Sequence, residues 1–75
     1  MVIRGAHVHD VHAQKIRLVE LIREMKVRPL GKKPKLNELV EWVIHDLPKV
    51  APGDRRTAQA VTIAGVLWAH ERSSN

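Results

Sequence analysis

The stretch TAQAVTIAGVLWA, residues 57–69, decides the fold because it runs for thirteen residues without a charged side chain. Asp54 precedes it at a position suited to an N-cap, and the pattern predicts a helix over residues 55–71. The main apolar stripe of this helix consists of Ala60, Val61, Ala64, Leu67 and Trp68. Further apolar side chains cover the other sides, and a helix that is apolar all round is normally buried all round.

Two amphipathic helices are predicted before this stretch. The first covers residues 11–26, where Val11, Leu18, Leu21, Ile22 and Met25 recur at three- and four-residue spacing, while Ile16 and Val19 lie off that stripe. The second covers residues 37–47 and ends before Pro48. Asp10 and Asn37 are suited to cap their N-termini. The segments RPLGKKPK, residues 28–35, and PKVAPG, residues 48–53, are predicted to be loops.

The first nine residues, MVIRGAHVH, have no helical period and include Gly5, so we expect an extended N-terminal arm. The predicted fold class is therefore all-α, with residues 1–75 forming one small three-helix domain that carries this arm. A domain of this size buries only about 60% of its unfolded surface, and the sequence has no cysteine with which to form a disulfide. We therefore expect a homo-oligomer.

The predicted protein interface lies on the last helix and on Trp42. Two helices cannot enclose a third on every side, so part of its apolar surface should face a partner. Trp42 lies off the apolar stripe of its own helix, and tryptophan is enriched at interface hot spots. The predicted interface residues are Trp42, Ile63, Gly65, Val66 and Trp68. Gly65 belongs to a strip of small side chains that would let another helix approach closely.

The basic residues provide the main functional prediction. The net charge is +5, and residues 1–35 hold nine basic and three acidic side chains, against four and five in residues 36–75. We expect phosphate contacts from two clusters, which are Lys26, Arg28, Lys32, Lys33 and Lys35, and Arg55 and Arg56. The alternative is that these charges are a solvated surface. Arg55 and Arg56 follow Asp54 at the positive end of a helix, where an anion would complete the site.

The residue inventory argues against catalysis. There is no Cys or Tyr, the two Ser are residues 73 and 74, and no nucleophile has a base beside it. Glu41 and His45 are four residues apart, and such a pair is more often a surface contact than an acid and base pair. We therefore expect a protein that is not an enzyme and needs no cofactor.

Three histidines near the N-terminus form the weak metal-binding candidate of this sequence. His7, His9 and His12 flank Asp10 and could converge on Zn²⁺ or Ni²⁺. Clustered histidines near a terminus are usually solvated, and no further ligand pair accompanies them. We therefore assign no metal.

The string AVTIAGV, residues 60–66, invites comparison with a helix-turn-helix, but the six-residue loop PKVAPG is longer than the usual turn of that motif.

The leading hypothesis is a small basic regulator of transcription in the cytoplasm, which binds nucleic acid, DNA in the first instance, as a dimer. The alternative is an adaptor or inhibitor that binds a protein through its last helix and Trp42 without nucleic acid. No apolar run is long enough to cross a membrane.

Overall fold

The computed structural model describes residues 11–73, and the side chains of residues 11–72. This part of the chain forms four helices and no strand: α1 is Val11–Met25, α2 is Leu36–His45, α3 is Leu47–Val50 and α4 is Arg55–Ser73. The all-α prediction is confirmed for these residues. The predicted arm, residues 1–9, and the predicted cap Asp10 lie outside them. None of the described helices has the length and apolar character needed to cross a bilayer.

The core is a single cluster to which every helix contributes. Its buried side chains are Leu18, Leu21, Ile22, Leu39, Val40, Val43, Leu47, Ala60, Ala64 and Leu67. α4 packs against α1, α2 and α3 and contributes mainly alanine methyl groups, whereas its partners contribute branched side chains. Small side chains on the central helix let its neighbours pack closely against it.

α1 and α4 run antiparallel. The N-terminus of α4 lies beside the C-terminus of α1, where Arg56 contacts the carbonyl oxygen of Glu24. At the other end, Val11 shares a small cleft with Leu67 of α4 and Leu36 of α2. Since α2 begins beside the start of α1, residues 26–35 must run back along the length of α1.

The second predicted helix is divided in the structure. α2 ends at His45 and not at residue 47, and the unpredicted α3 occupies part of the predicted loop 48–53. Pro48 lies in the first turn of α3, where its missing N–H is not required. The amides of Lys49 and Val50 donate to the carbonyl oxygen of Asp46, at 2.9 and 3.1 Å. Pro48 therefore ends one helix and starts another.

The predicted cap at Asn37 is wrong. α2 begins one residue earlier, at Leu36, and Lys35 holds the extended cap position with φ −73° and ψ 117°. Lys35 accepts a hydrogen bond through its carbonyl oxygen from the amide of Leu39, at 3.0 Å. Pro34 precedes this position, and its fixed φ favours the extended approach to the helix.

α4 is capped as predicted and is longer than predicted. The amide of Arg56 donates to Oδ1 of Asp54 at 2.8 Å, and the Thr57 hydroxyl donates to the carbonyl oxygen of Ala51 at 2.7 Å. The helix continues through Gly65 to Ser73, so Gly65 is not the turn of a helix-turn-helix.

Trp68 corrects the predicted stripe of α4. Ala60, Ala64 and Leu67 are buried and Val61 is half-buried, but Trp68 is 40% exposed. The other helices cover one side of α4, and Trp68 lies at the edge of that side. Arg72, one turn along the same helix, stacks over its ring at 5.7 Å.

Candidate nucleic-acid interface

The basic loop, residues 26–35, is held against α1 by one hydrogen bond and by two apolar side chains. Nη2 of Arg23 donates to the carbonyl oxygen of Gly31 at 3.0 Å. Val27 and Leu30 are half-buried against the core, whereas Lys32 and Lys33 point to solvent. The loop is therefore anchored by its apolar residues and presents its lysines outward.

Lys26 begins the loop in a left-handed conformation. Its φ is 56°, and its amide donates to the carbonyl oxygen of Ile22 at 3.2 Å, which closes the last turn of α1. Glycine is the usual residue at such a helix end, and a non-glycine residue there is uncommon. The Lys26 side chain is exposed at the negative end of the helix dipole, a favourable place for a cation.

Four predicted phosphate-binding residues have exposed side chains without a counter-charge. In the part of the chain that the structure describes, ion pairs involve Lys35 and Arg56 but not Lys26, Lys32, Lys33 or Arg55. The Lys35 ammonium lies 3.9 Å from a Glu38 carboxylate oxygen, with both side chains more than two-thirds exposed. Exposed pairs of this kind contribute little to stability. Lys35 is therefore only weakly held by Glu38 and can still contact a phosphate.

Arg28 is less available to a phosphate than the lysines are. Its guanidinium lies over the ring of Trp42, 5.0 Å from the ring centre. Glu38, Glu41 and Asp46 line the same depression and would repel an anion there. Arg28 therefore covers the half-buried Trp42, which also packs against the core.

Arg56 is held by a two-pronged ion pair. Nη2 lies 2.9 Å from Oδ2 of Asp54, and Nε donates to Oδ1 of Asp54 at 3.2 Å. Hydrogen bonds from the Arg56 side chain, and then from its amide, hold the pKa of Asp54 below its usual value. Asp54 thus supplies the anion that the sequence predicted for Arg56, and Arg55 keeps an exposed guanidinium beside this pair.

The seven predicted phosphate contacts do not form one compact cluster. Nη1 of Arg56 donates to the carbonyl oxygen of Glu24 at 3.4 Å, which places Arg55, Arg56 and Lys26 at one end of the domain. Lys32, Lys33 and Lys35 follow the loop back along α1. The two predicted clusters therefore form a line along one side and one end of the domain.

The predicted protein interface is divided among three separate places on the surface. Trp42 is half-buried beside Arg28, whereas Trp68 lies in a different depression with Gly65 and Arg72. Val66 is 44% exposed and Ile63 is half-buried on the opposite flank of α4. A Cβ atom built on Gly65 meets nothing within 4 Å among the described residues, so packing in this part of the chain does not require glycine there.

The metal candidate lies almost wholly outside the described residues. His12 is exposed near the start of α1, and His7 and His9 precede the residues that the structure describes. Within those residues, no three His, Asp or Glu side chains are arranged to hold a metal ion.

Sequence reasoning missed a second surface on α1. Ile16 is 46% exposed and lines a groove together with Val19, Lys15 and Lys32. The available signal was that Ile16 and Val19 lie off the apolar stripe, but the path of the loop that forms the other wall was not predictable.

Comparison with protein-family models, with curated proteins and with solved structures finds no significant match to this chain.

Proposed function

We propose that this protein is a small, basic, non-enzymatic regulator of transcription in the cytoplasm, which binds nucleic acid as a dimer through contacts to phosphates. DNA is the first candidate. Lys26, Lys32, Lys33 and Arg55 make the principal contacts. Lys35, Arg28 and Arg56 are secondary, since each already has a partner within the chain.

The observation that carries the proposal is the set of exposed cations without an ion pair within the described residues. Lys32 and Lys33 are adjacent on a loop whose apolar residues are anchored, and Lys26 and Arg55 lie at the end of the domain to which that loop connects. Lysine side chains act as flexible point charges, which suits contacts to a repeating phosphate backbone. Phosphate contacts position a protein and carry no direct base information.

The experiment compares two charge reversals that change the net charge equally. Lys33→Glu lies in the proposed phosphate line, and Lys49→Glu is an exposed control on α3. We expect Lys33→Glu to weaken binding of a random-sequence duplex by severalfold in fluorescence anisotropy, because it removes a contact and adds repulsion, whereas Lys49→Glu changes it less. Equal losses would mean that only the net charge matters and would reject the proposed contacts.

The second candidate function, a protein-binding adaptor or inhibitor, is supported by two exposed apolar side chains on α4. Val66 is 44% exposed and Trp68 is 40% exposed, and a Cβ atom added to the nearby Gly65 meets no atom of the described residues within 4 Å. Trp68→Ala tests this candidate more cleanly than Trp42→Ala, because Trp42 also packs against the core. A chain that does not bind a duplex, and whose binding to another protein is lost in Trp68→Ala, would favour this candidate over the first.

A further inference from the structure

A groove with an apolar floor runs between α1 and the loop that follows it. Ile16, Val19, Pro34 and Leu36 supply the apolar lining, and the volume is about 280 Å³. Ile16 is 46% exposed, one of the largest exposures of a large apolar side chain in the described chain. This floor is distinct from α4 and from both tryptophans.

The rim of the groove is basic. Lys15 and Arg23 extend from α1 and Lys32 extends from the loop, whereas Glu20 is the one carboxylate among the described residues that line the groove. Arg23 also donates a hydrogen bond of 3.0 Å to the carbonyl oxygen of Gly31, which holds the loop that forms the second wall of the groove. The groove is therefore formed before any partner binds, which lowers the entropic cost of binding.

The size and chemistry of the groove select the class of ligand. Its volume of about 280 Å³ is at the small end of the range of roughly 300–1,000 Å³ that is typical of small-molecule sites. It is suited to one or two side chains of a longer segment. A phosphate backbone would use the basic rim but gains nothing from the apolar floor, whereas a segment that combines apolar and acidic residues complements both.

We propose that this groove binds an acidic amphipathic segment of a partner protein. The apolar side chains of this segment pack on Ile16, Val19 and Leu36, and its flanking carboxylates pair with Lys15 and Lys32. The binding mode is a helix in a groove, with anchors spaced three or four residues apart. This proposal does not rest on phosphate binding, although the two share Lys32.

The probe is a synthetic peptide of roughly 15 residues, long enough to form a helix, with two leucines four positions apart flanked by glutamates. Titration into the ¹⁵N-labelled full chain is followed by NMR. We expect saturable shifts at the amides of Ile16, Val19 and Leu36, and little change at the indole N–H groups of Trp42 and Trp68. A peptide with the leucines changed to serine, and one with the glutamates changed to glutamine, should each bind more weakly.

The matched variants are Ile16→Asn and Val66→Asn, which change two side chains of similar exposure, 46% and 44%, without altering the charge. Losing one apolar anchor should weaken peptide binding about tenfold in Ile16→Asn. Val66→Asn should bind as the unmodified chain does. Ile16→Asn should leave duplex binding unchanged, so failure of this proposal is separable from failure of phosphate binding.

Four results of the peptide titrations would overturn the proposal. They are shifts that do not saturate, shifts centred on the tryptophan indoles, equal binding by Ile16→Asn and Val66→Asn, and undiminished binding of the leucine-free peptide. Concentration-dependent shifts at Ile16 without peptide would assign the groove to a second copy of the chain and would also overturn it.

Discussion

Asp54 and Arg56 are joined three times at the N-terminus of α4. One carboxylate oxygen, Oδ1, accepts from the amide of Arg56 at 2.8 Å and from its Nε at 3.2 Å, and Oδ2 accepts from Nη2 at 2.9 Å. Asp54 therefore acts both as the helix cap and as the counter-charge of Arg56. The two adjacent arginines therefore have different roles. Arg56 pairs with Asp54, and Arg55 is the one available to an external anion.

The cap and the ion pair can be separated by two substitutions at Asp54. Asp54→Ala removes both, whereas Asp54→Asn keeps a side-chain oxygen that can cap the helix. We expect both variants to unfold at a lower temperature than the unmodified chain, with Asp54→Ala the lower of the two, as followed by circular dichroism. If the two variants unfold at the same temperature, the capping hydrogen bond adds no stability beyond that of the Asp54 charge.

Asp54 should also give the domain a component of acid sensitivity. Its ordinary pKa is 3.8, and the hydrogen bonds from Arg56 lower the pKa in the folded state. Because the folded-state pKa is depressed, the contribution to stability is complete above the ordinary pKa and is lost as the pH falls through the lower folded value. The stability difference between the unmodified chain and Asp54→Asn should narrow as the pH drops below the ordinary pKa of 3.8.

Urea unfolding across this pH range measures that difference, and Arg56→Gln is the control. Without the guanidinium, the pKa of Asp54 should rise towards its ordinary value, so substituting Asp54 in that background should change the acid response less. If the stability difference on substituting Asp54 narrows to the same extent in the Arg56→Gln background, the Asp54–Arg56 pair is not the cause of the acid sensitivity.

Gly65→Ala should stabilise the isolated domain. Gly65 lies in the interior of α4, and an added Cβ meets no atom within 4 Å. Alanine is favoured over glycine in a helix interior by about 1 kcal/mol, which corresponds to about 4–8 °C in Tm for a domain of this size. Thermal unfolding measures the gain, with Ala69→Gly as the reverse substitution. A Tm that falls would contradict the open surface at Gly65.

The Arg28–Trp42 contact offers an optical test of whether Arg28 takes part in phosphate binding. In Trp68→Phe, Trp42 is the one remaining tryptophan. If Arg28 leaves the ring for a phosphate, water reaches the indole and the emission should shift to longer wavelength when a duplex is added. Arg28→Ala should show the red-shifted emission without the duplex. Unchanged emission on binding would keep Arg28 in a structural role.

The sequence was sufficient to predict α1, α4 and the cap at Asp54 because each depends on local pattern. It was insufficient where tertiary packing decides. Pro48 marks a helix end in sequence, but the start of α3 at the same place follows from the packing of Leu47 in the core. Trp68 lies within the apolar stripe on the wheel, yet the neighbouring helices do not extend over it.

The candidate site was predicted as residue types but not as an arrangement. The sequence placed the lysines in a loop, whereas the position of α2 beside the start of α1 requires this loop to run back along α1. The hydrogen bond from Arg23 to Gly31, eight residues away, joins the loop to α1. No local signal indicated that Asp54 would take the guanidinium of Arg56, or that Arg28 would cover Trp42. These contacts reduce the number of cations available to an external phosphate.

The most direct test of phosphate binding by a dimer is the molar mass in solution by light scattering, with and without a random-sequence duplex, at about 50 and 300 mM salt. We expect a dimer that binds the duplex at the lower salt concentration and releases it at the higher one, because each neutralised phosphate steepens the salt dependence. A chain that ignores the duplex at both concentrations would contradict it.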